Sequence, residues 1–331
     1  MNDPKLKGRR AVLVIPPSPF LLDERVFVSL GVLRVASALE LLGVEVGVLD
    51  LSGVGNYLEV VGAYLAEASP EWIGITSTTP QLPSAVKIAE LIRKVAPGLR
   101  IVLGGPHVTL TYSALKVERT KLGVTNGRAA KAAAVLEHLF DVMVSGDGEL
   151  AVRKLFDTDC PRVIDADDNK GPLFLSDAQY EALPMPARHL VDLSSYNYTI
   201  EGFPATSLIA QLGCPFHCGF CGGRNSKSLR VVRTRSVLSI VSEIRWLHEN
   251  YGYTGFMFYD DELNVSKSLV ELMNAIHSLQ REVGVEFRLR GFVKSELLTE
   301  EQAKRWTCWL RWGTVRHGRL TRIANYQARY H

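Results

Sequence analysis

Short β-branched runs that alternate with segments of helical period constrain this chain more than any other feature. Ala11 to Ile15 is one such run, closing on Pro16-Pro17, and from Leu30 the residues Val32, Val35, Ala36, Leu39 and Leu42 recur with helical period until Gly43. Val44 to Leu49 reads as the next strand, Val60 to Ala68 as a helix and Trp72 to Thr76 as the third strand. Ala85, Ile88, Ala89, Ile92 and Val95 mark a helix broken at Pro97-Gly98, Ile101 to Leu103 is a buried strand, Gly104-Gly105-Pro106-His107 a turn, Ala130 to Leu139 a helix and Val142 to Val144 a fifth strand. Strands separated by helices pair in parallel, because a parallel pair needs a crossover and crossovers within one sheet are right-handed and helical. The expected fold class is therefore α/β, opening with a doubly wound, Rossmann-like parallel sheet whose ligands bind at the carboxyl ends of its strands. Those ends carry Pro16-Pro17, Ser77-Thr78-Thr79, Gly104-Gly105-Pro106-His107 and Ser145-Gly146-Asp147-Gly148, small and hydroxylated residues that let a flat or phosphorylated ligand approach the backbone. Taken singly, each is also what an ordinary turn looks like.

With 331 residues and 47% hydrophobic content the chain is long enough for two cores. Residues 1–156 form the expected first domain, and residues 157–204, which hold Pro161, Pro172, Pro184, Pro186 and Pro204, read as a linker. The long polar connection from Ser113 to Ala129 fits no element. A second domain over 205–303 opens with a strand at Thr206 to Leu212 and continues with a helix around Ile240 to His248. A strand at Gly255 to Tyr259, a helix over Leu269 to Leu279, a strand at Val285 to Leu289 and a capping box from Thr299 to Gln302 follow. A net charge of +3 gives no reason to expect a nucleic-acid partner. No apolar run is long enough for a membrane span, and Met1 to Arg10 lacks the apolar core of a signal peptide. An odd count of five cysteines fits a reducing compartment, so the expected location is cytoplasmic.

Three of those cysteines, Cys214, Cys218 and Cys221, fall within eight residues between Gly213 and Gly222. Closely spaced thiolates on one loop reach adjacent iron corners with little chain entropy left to lose, and three local ligands suit a cubane cluster with one iron open. Two other readings stand beside this one. A structural zinc site needs a fourth ligand, such as His217 or Cys308. Buried thiols without metal need apolar partners that a loop with glycines at 213, 219, 222 and 223 does not supply.

The Cys214-x-x-x-Cys218-x-x-Cys221 spacing, with Phe220 before the last cysteine, resembles the radical S-adenosylmethionine superfamily. The resemblance implies a [4Fe-4S] cluster on the three cysteines, with S-adenosyl-L-methionine on the fourth iron and cleaved reductively to a deoxyadenosyl radical. It also implies that Asp260, Asp261 and Glu262, at a strand end, are candidates for the methionyl ammonium group and Arg290 for its carboxylate. Leu103 to Thr109, Val144 to Glu149 and Leu183 to Arg188 look like the amino-terminal half and linker of the cobalamin-binding members of that superfamily. There the corrin would rest on loops like Ser77, Thr78 and Thr79, and its nucleotide tail would pass Gly104, Gly105 and Gly146, with His107 a tail contact or a plain loop histidine. The Asp-x-His-x-x-Gly loop that supplies a lower axial histidine in other cobalamin proteins is absent after the first strand.

The resemblance runs from about residue 11 to residue 303. It implies a cobalamin-dependent enzyme that transfers a methyl group to an unactivated carbon or phosphorus, with a small-molecule substrate and a flavodoxin- or ferredoxin-like electron donor. An oxidative cyclase with the same cofactors, or a non-catalytic cobalamin-binding protein, are the alternatives. Only three barrel strands precede Lys304, and residues 304–331 hold seven Lys or Arg, three tryptophans and no Asp or Glu. The expectation is a partial, truncated (β/α) barrel followed by an atypical tail.

Overall fold

The computed structural model describes residues 3–309, with side chains described to residue 305. The first unit comprises β1 (Arg10–Ile15), α1 (Leu30–Leu41), β2 (Glu45–Asp50), α2 (Tyr57–Glu67), β3 (Trp72–Thr76), α3 (Leu82–Val95) and β4 (Arg100–Gly104). It continues with α4 (Pro106–Thr120), α5 (Arg128–Leu139), β5 (Val142–Gly146), α6 (Gly148–Ala151) and β6 (Val163–Ala166). Its strands run parallel in the order β2-β1-β3-β4-β5-β6. The order reverses between β1 and β3, so α1 packs on one face of the sheet and α2 to α5 on the other. The alternation of side chains along each strand matches this: Val12, Val14, Ile101, Leu103 and Met143 join the core under α2 to α5, whereas Ala11, Leu13, Ile15, Val102 and Val144 join the core under α1. The reversal also opens a crevice at the carboxyl ends of β1 and β3, where Pro16 and Ser77 lie.

Two expectations for this unit are corrected. The sheet has six strands, not five, and the sixth lies in the stretch that reads as a linker; four residues, Val163 to Ala166, are too few to show a period. Gly104-Gly105-Pro106-His107 is no turn. β4 ends at Gly104, Gly105 precedes the helix with φ +91°, and Pro106 begins α4, where its missing N–H costs nothing. The polar connection from Ser113 is thus mostly helix, and only residues 121–127 link α4 to α5.

The second unit contains α7 (Asp177–Ala182), β7 (Thr199–Ile200), β8 (Phe203–Leu208), β9 (Gln211–Leu212) and β10 (Arg233–Thr234), then α8 (Val237–Tyr251), β11 (Gly255–Phe258), α9 (Leu269–Val283), β12 (Arg288–Gly291) and α10 (Glu300–Trp309). β8, β11 and β12 pair in parallel in the order β12-β11-β8, and β7 adds an antiparallel edge. The expected first strand breaks at Ile209–Ala210, and the expected third strand shifts to Arg288–Gly291 because Gly284 ends α9 in a left-handed turn. The capping box at Thr299 forms as expected, with the Gln302 amide N–H donating to Thr299 Oγ1 at 3.1 Å. α10 runs on to Trp309, and residues 310–331 of the expected tail lie outside the described residues. No helix among the described residues is long and apolar enough to cross a membrane.

A buried ion cluster ties the connection to the second unit. Arg188 donates to Glu243 Oε1 at 2.8 Å and to the Ser207 carbonyl at 2.8 Å, while Arg235 donates to Glu243 Oε2 at 2.5 Å. One residue earlier, the Ala187 N–H bonds the Leu33 carbonyl of α1 at 3.0 Å. Burial alone would raise the Glu243 pKa, but the two guanidiniums outweigh it and hold the carboxyl below its ordinary 4.5. Its stabilising contribution is therefore present above pH 4.5 and is lost as pH falls through the lowered value. Replacing Glu243 by Ala strands two buried cations, and urea denaturation is expected to show a loss of about 3–5 kcal/mol. A loss under about 1 kcal/mol would show that solvent reaches the cluster.

Candidate functional site

The cysteine loop is a ring closed at its neck. Asp260, just past β11, accepts the N–H of Ala210 at 3.1 Å and of Gln211 at 2.5 Å, which ends β8 and turns the chain aside. Gln211 and Leu212 then pair antiparallel with Arg233 and Thr234, so both arms of the loop leave from one point. Gly213 has φ +80°, and a Cβ there would stand 2.3 Å from the Val231 carbonyl oxygen, so only glycine fits. Inside the ring, Cys214 N–H donates to the Leu229 carbonyl at 3.0 Å and Cys221 N–H to the Cys218 carbonyl at 3.1 Å. Arg230 donates to the carbonyls of Pro215 (2.6 Å) and Phe216 (2.9 Å), and Arg224 to that of Gly219. The Lys294 ammonium sits 3.8 Å from the centre of the Phe216 ring.

The three cysteines in the ring are free thiols, Cys221 exposed and the other two half-buried. Burial raises the Cys214 pKa, and the nearby carboxylates of Asp261 and Glu262 raise it further. Among the described residues no three His, Cys, Asp or Glu side chains converge on one ion-sized point. A cubane binds each thiolate at a separate iron and does not require such convergence, whereas a four-ligand zinc site does. The Cys308 side chain, one suggested fourth zinc ligand, lies outside the described residues. The donor set fits the cluster.

The acidic strand end divides by role. Asp260 is buried and committed to the loop's neck; burial pushes its carboxyl pKa up to about 7 against the lowering effect of the two amide bonds. Among the described residues the carboxyl groups of Asp261 and Glu262 accept no such backbone bonds; both have pKa values raised by desolvation, and both act electrostatically on Cys214. Arg290 pairs with Met257 across the sheet, and its guanidinium donates to the Tyr198 hydroxyl at 3.3 Å. From this part of the second sheet it is Lys294 that touches the cysteine loop; its amide N–H donates to Asn264 Oδ1 at 2.9 Å while its carbonyl accepts from Asn264 Nδ2 at 2.8 Å. Sequence reasoning missed it because no spacing links a lysine to a phenylalanine 78 positions earlier.

At the first sheet, the strand ends are stitched together. Gln81 donates to the Pro16 carbonyl at 2.8 Å and its Oε1 accepts from Thr78 N–H at 3.0 Å. Thr79 Oγ1 lies 3.0 Å from His107 Nδ1, and His107 N–H donates to the Ser77 carbonyl at 2.9 Å. Burial lowers the His107 pKa, which favours a neutral imidazole. Gly105 and Gly146 have positive φ, and an added Cβ would lie 2.7 Å from Thr76 Oγ1 and 2.4 Å from the Ala166 carbonyl carbon, respectively. These two glycines serve contacts within the chain. Gly104 differs, since among the described residues a Cβ there meets only Val144 at 4.0 Å and the Ser145 hydroxyl at the next strand end is buried without a partner. An open backbone position and an orphan hydroxyl along this edge fit a flat ligand with polar substituents.

Loop and edge meet. Asp167, after β6, accepts from Ser226 Oγ (2.6 Å), Ser228 N–H (2.8 Å) and Ser228 Oγ (2.7 Å) on the loop's returning arm. Asp147, after β5, pairs with the buried Arg233. Gly222 faces Leu110 of α4, with a built Cβ 3.7 Å from the leucine. The structure thus brings Asp261, Glu262 and Lys294 beside the cysteine loop, and that loop against the carboxyl ends of β5 and β6 and Leu110 of α4; no direct contact joins it to Ser77, Thr78, Thr79, Gly104 or His107 among the described residues.

Residues 24–137 match the family model of the B12 binding domain. Among curated sequences, the chain is 24% identical over 279 residues to an uncharacterized methyltransferase, PH0819, of Pyrococcus horikoshii, covering 79% of this chain and 55% of that one. It is 25% identical over 306 residues to cytidylyl-2-hydroxyethylphosphonate methyltransferase of Streptomyces wedmorensis, covering 80% and 57%. The chain spans about half the length of these relatives. Its fold is shared with the radical S-adenosylmethionine methyltransferase TsrM from Kitasatospora setae, solved with cobalamin and a [4Fe-4S] cluster (TM-score 0.61, 19% identity, 91% of this chain and 59% of that one). It is shared also with the cobalamin-dependent enzyme OxsB, solved with aqua-cobalamin and S-adenosylmethionine (TM-score 0.66, 15% identity, 94% and 43%). The α/β class and the succession of a B12-type sheet and a partial barrel sheet stand as the sequence implies.

The raised Asp260 pKa has a readable sign. Its contribution to stability is complete below pH 3.8 and is lost as pH rises through about 7, because the neutral acid suits the buried site. Asp260→Asn is expected to flatten that part of the stability profile, and Asp260→Ala to cost about 1–3 kcal/mol more by orphaning two amide donors. Equal profiles for wild type and Asp260→Asn in urea titrations from pH 4 to 8 would contradict this.

Proposed function

We propose that this chain carries the cofactor-binding part of a cobalamin-dependent radical S-adenosylmethionine enzyme that methylates an unactivated carbon or phosphorus centre of a small molecule. The observation that carries the reading is the joining of the B12-type sheet edge to the cysteine loop by Asp167 and Asp147. Methyl transfer from a corrin to a substrate radical requires the two cofactors to face one space, and this junction supports that placement.

In this reading Cys214, Cys218 and Cys221 hold the cluster, and Arg230, Arg224 and Lys294 fix the loop that presents them. Asp261 and Glu262 hold the methionyl ammonium, with Lys294 beside them for its carboxylate; Arg290 is left to the region of Tyr198. Thr78, Thr79, Gly104 and Ser145 line the corrin edge, and the neutral His107 with Gly105 and Gly146 keeps that edge in shape. When bound, the cluster and the corrin supply one-electron reduction and methyl transfer. A flavodoxin- or ferredoxin-like protein is the proposed electron donor.

Anaerobic reconstitution with iron and sulfide is expected to give a cluster absorbance that is lost in Cys214→Ala, Cys218→Ala and Cys221→Ala, and hydroxocobalamin is expected to bind in all four proteins. Zinc binding in place of the cluster, or cobalamin binding that fails in the wild type, would sink the reading. Product mass then separates methyl transfer, a gain of one methyl group, from oxidation or cyclisation.

A further inference from the structure

A cleft of about 410 Å³ opens between α4, the turn after β6 and the returning arm of the cysteine loop. One side holds carboxylates that are each engaged within the chain, the other a set of cations. At the end of β6 Asp165 pairs with Lys116 at 2.8 Å, and on the turn that follows Asp167 is bound by Ser226 and Ser228 and Asp168 accepts the Lys170 N–H at 3.0 Å. Facing them are Arg224, Lys227 and Arg230 on the loop arm and Lys121 at the end of α4. Among the described residues none of these four has a carboxylate within 4.0 Å. Arg224 and Arg230 do make hydrogen bonds, but to neutral backbone carbonyls, which leave the cationic charge uncancelled. With Lys116 the cleft carries five cations against the three carboxylates of Asp165, Asp167 and Asp168, so its lining is net positive, and forked guanidiniums match tetrahedral oxyanions in geometry.

This cleft is separate from the proposed corrin edge. The part of α4 that lines it runs from Ser113 to Lys121, between about 9 and 21 Å along the helix from His107 at 1.5 Å per residue. The contact between Leu110 and Gly222 lies between the two places.

We propose that the cleft binds a phosphate-bearing small molecule, either inorganic phosphate or a phosphate monoester. Occupancy is coupled to the cysteine loop, because Arg224 and Arg230 line the cleft and also hold the carbonyls of Pro215, Phe216 and Gly219. A bound oxyanion would fix both side chains and so stiffen the loop. The site neither needs a cluster nor contributes a cluster ligand, so its failure leaves the proposed function untouched.

The test is hydrogen–deuterium exchange of the peptides spanning residues 213–231 in the full chain, titrated with inorganic phosphate and separately with adenosine monophosphate. A saturable slowing of at least threefold is expected, lost in a Lys121→Gln/Lys227→Gln double variant whose thermal unfolding matches wild type, and kept with saturating hydroxocobalamin. A tenfold tighter midpoint for the monoester assigns the cleft to phosphate esters, and equal midpoints assign it to the free anion. No saturable slowing, slowing retained in the double variant, or slowing abolished by cobalamin would each overturn the proposal.

Discussion

The grip of Asp167 on Ser226 and Ser228 is the constraint on which the rest of the arrangement depends. A buried carboxylate that accepts three donors from one short segment fixes that segment closely, because each donor it lost would leave an expensive orphan. Asp167 follows the outermost strand of the first sheet, while its donors lie on the return from the cysteines. Without it, the two units would be joined on this side mainly by Asp147 and Arg233 and by the contact between Leu110 and Gly222. On the other side, Arg188 and Ala187 pin the connection to Glu243 and to α1. The stretch that joins the two sheets is therefore anchored at both ends.

Much of the fold was legible because it rests on periodicity. β-Branched runs between helical faces gave the first five strands and the doubly wound sheet, and local cysteine spacing marked the loop. What stayed hidden depends on contacts without a local signature. β6 is four residues long and flanked by acids and proline, so neither period nor propensity reveals it. Helix α4 was concealed behind a glycine-proline start and a polar, β-branched body that composition alone reads as loop.

The candidate site divides in the same way. The cysteines and the acidic strand end were visible as residue types, but Asp260, Asp261 and Glu262 are adjacent in sequence and unequal in space. Two residues past the end of β11, Asp260 turns inward onto the amides of Ala210 and Gln211, and that inward turn is a tertiary fact. Gly105 and Gly146 illustrate the converse: a glycine at a strand end suggested room for a ligand, yet both are demanded by crossing segments of the chain itself. Lys294 and Arg230 act on Phe216 and Pro215 from distant positions and had no motif to betray them.

The narrow neck that β9 and β10 make has a further meaning. Tying the arms of a loop of about 20 residues removes roughly 3 kcal/mol of closure entropy in advance. The closed neck holds the three thiols on one short ring, which keeps their concentration relative to one another high. Under the proposed function, cluster assembly on such a ring would be a stepwise capture, in which the first ligand bond already brings the next thiol within reach.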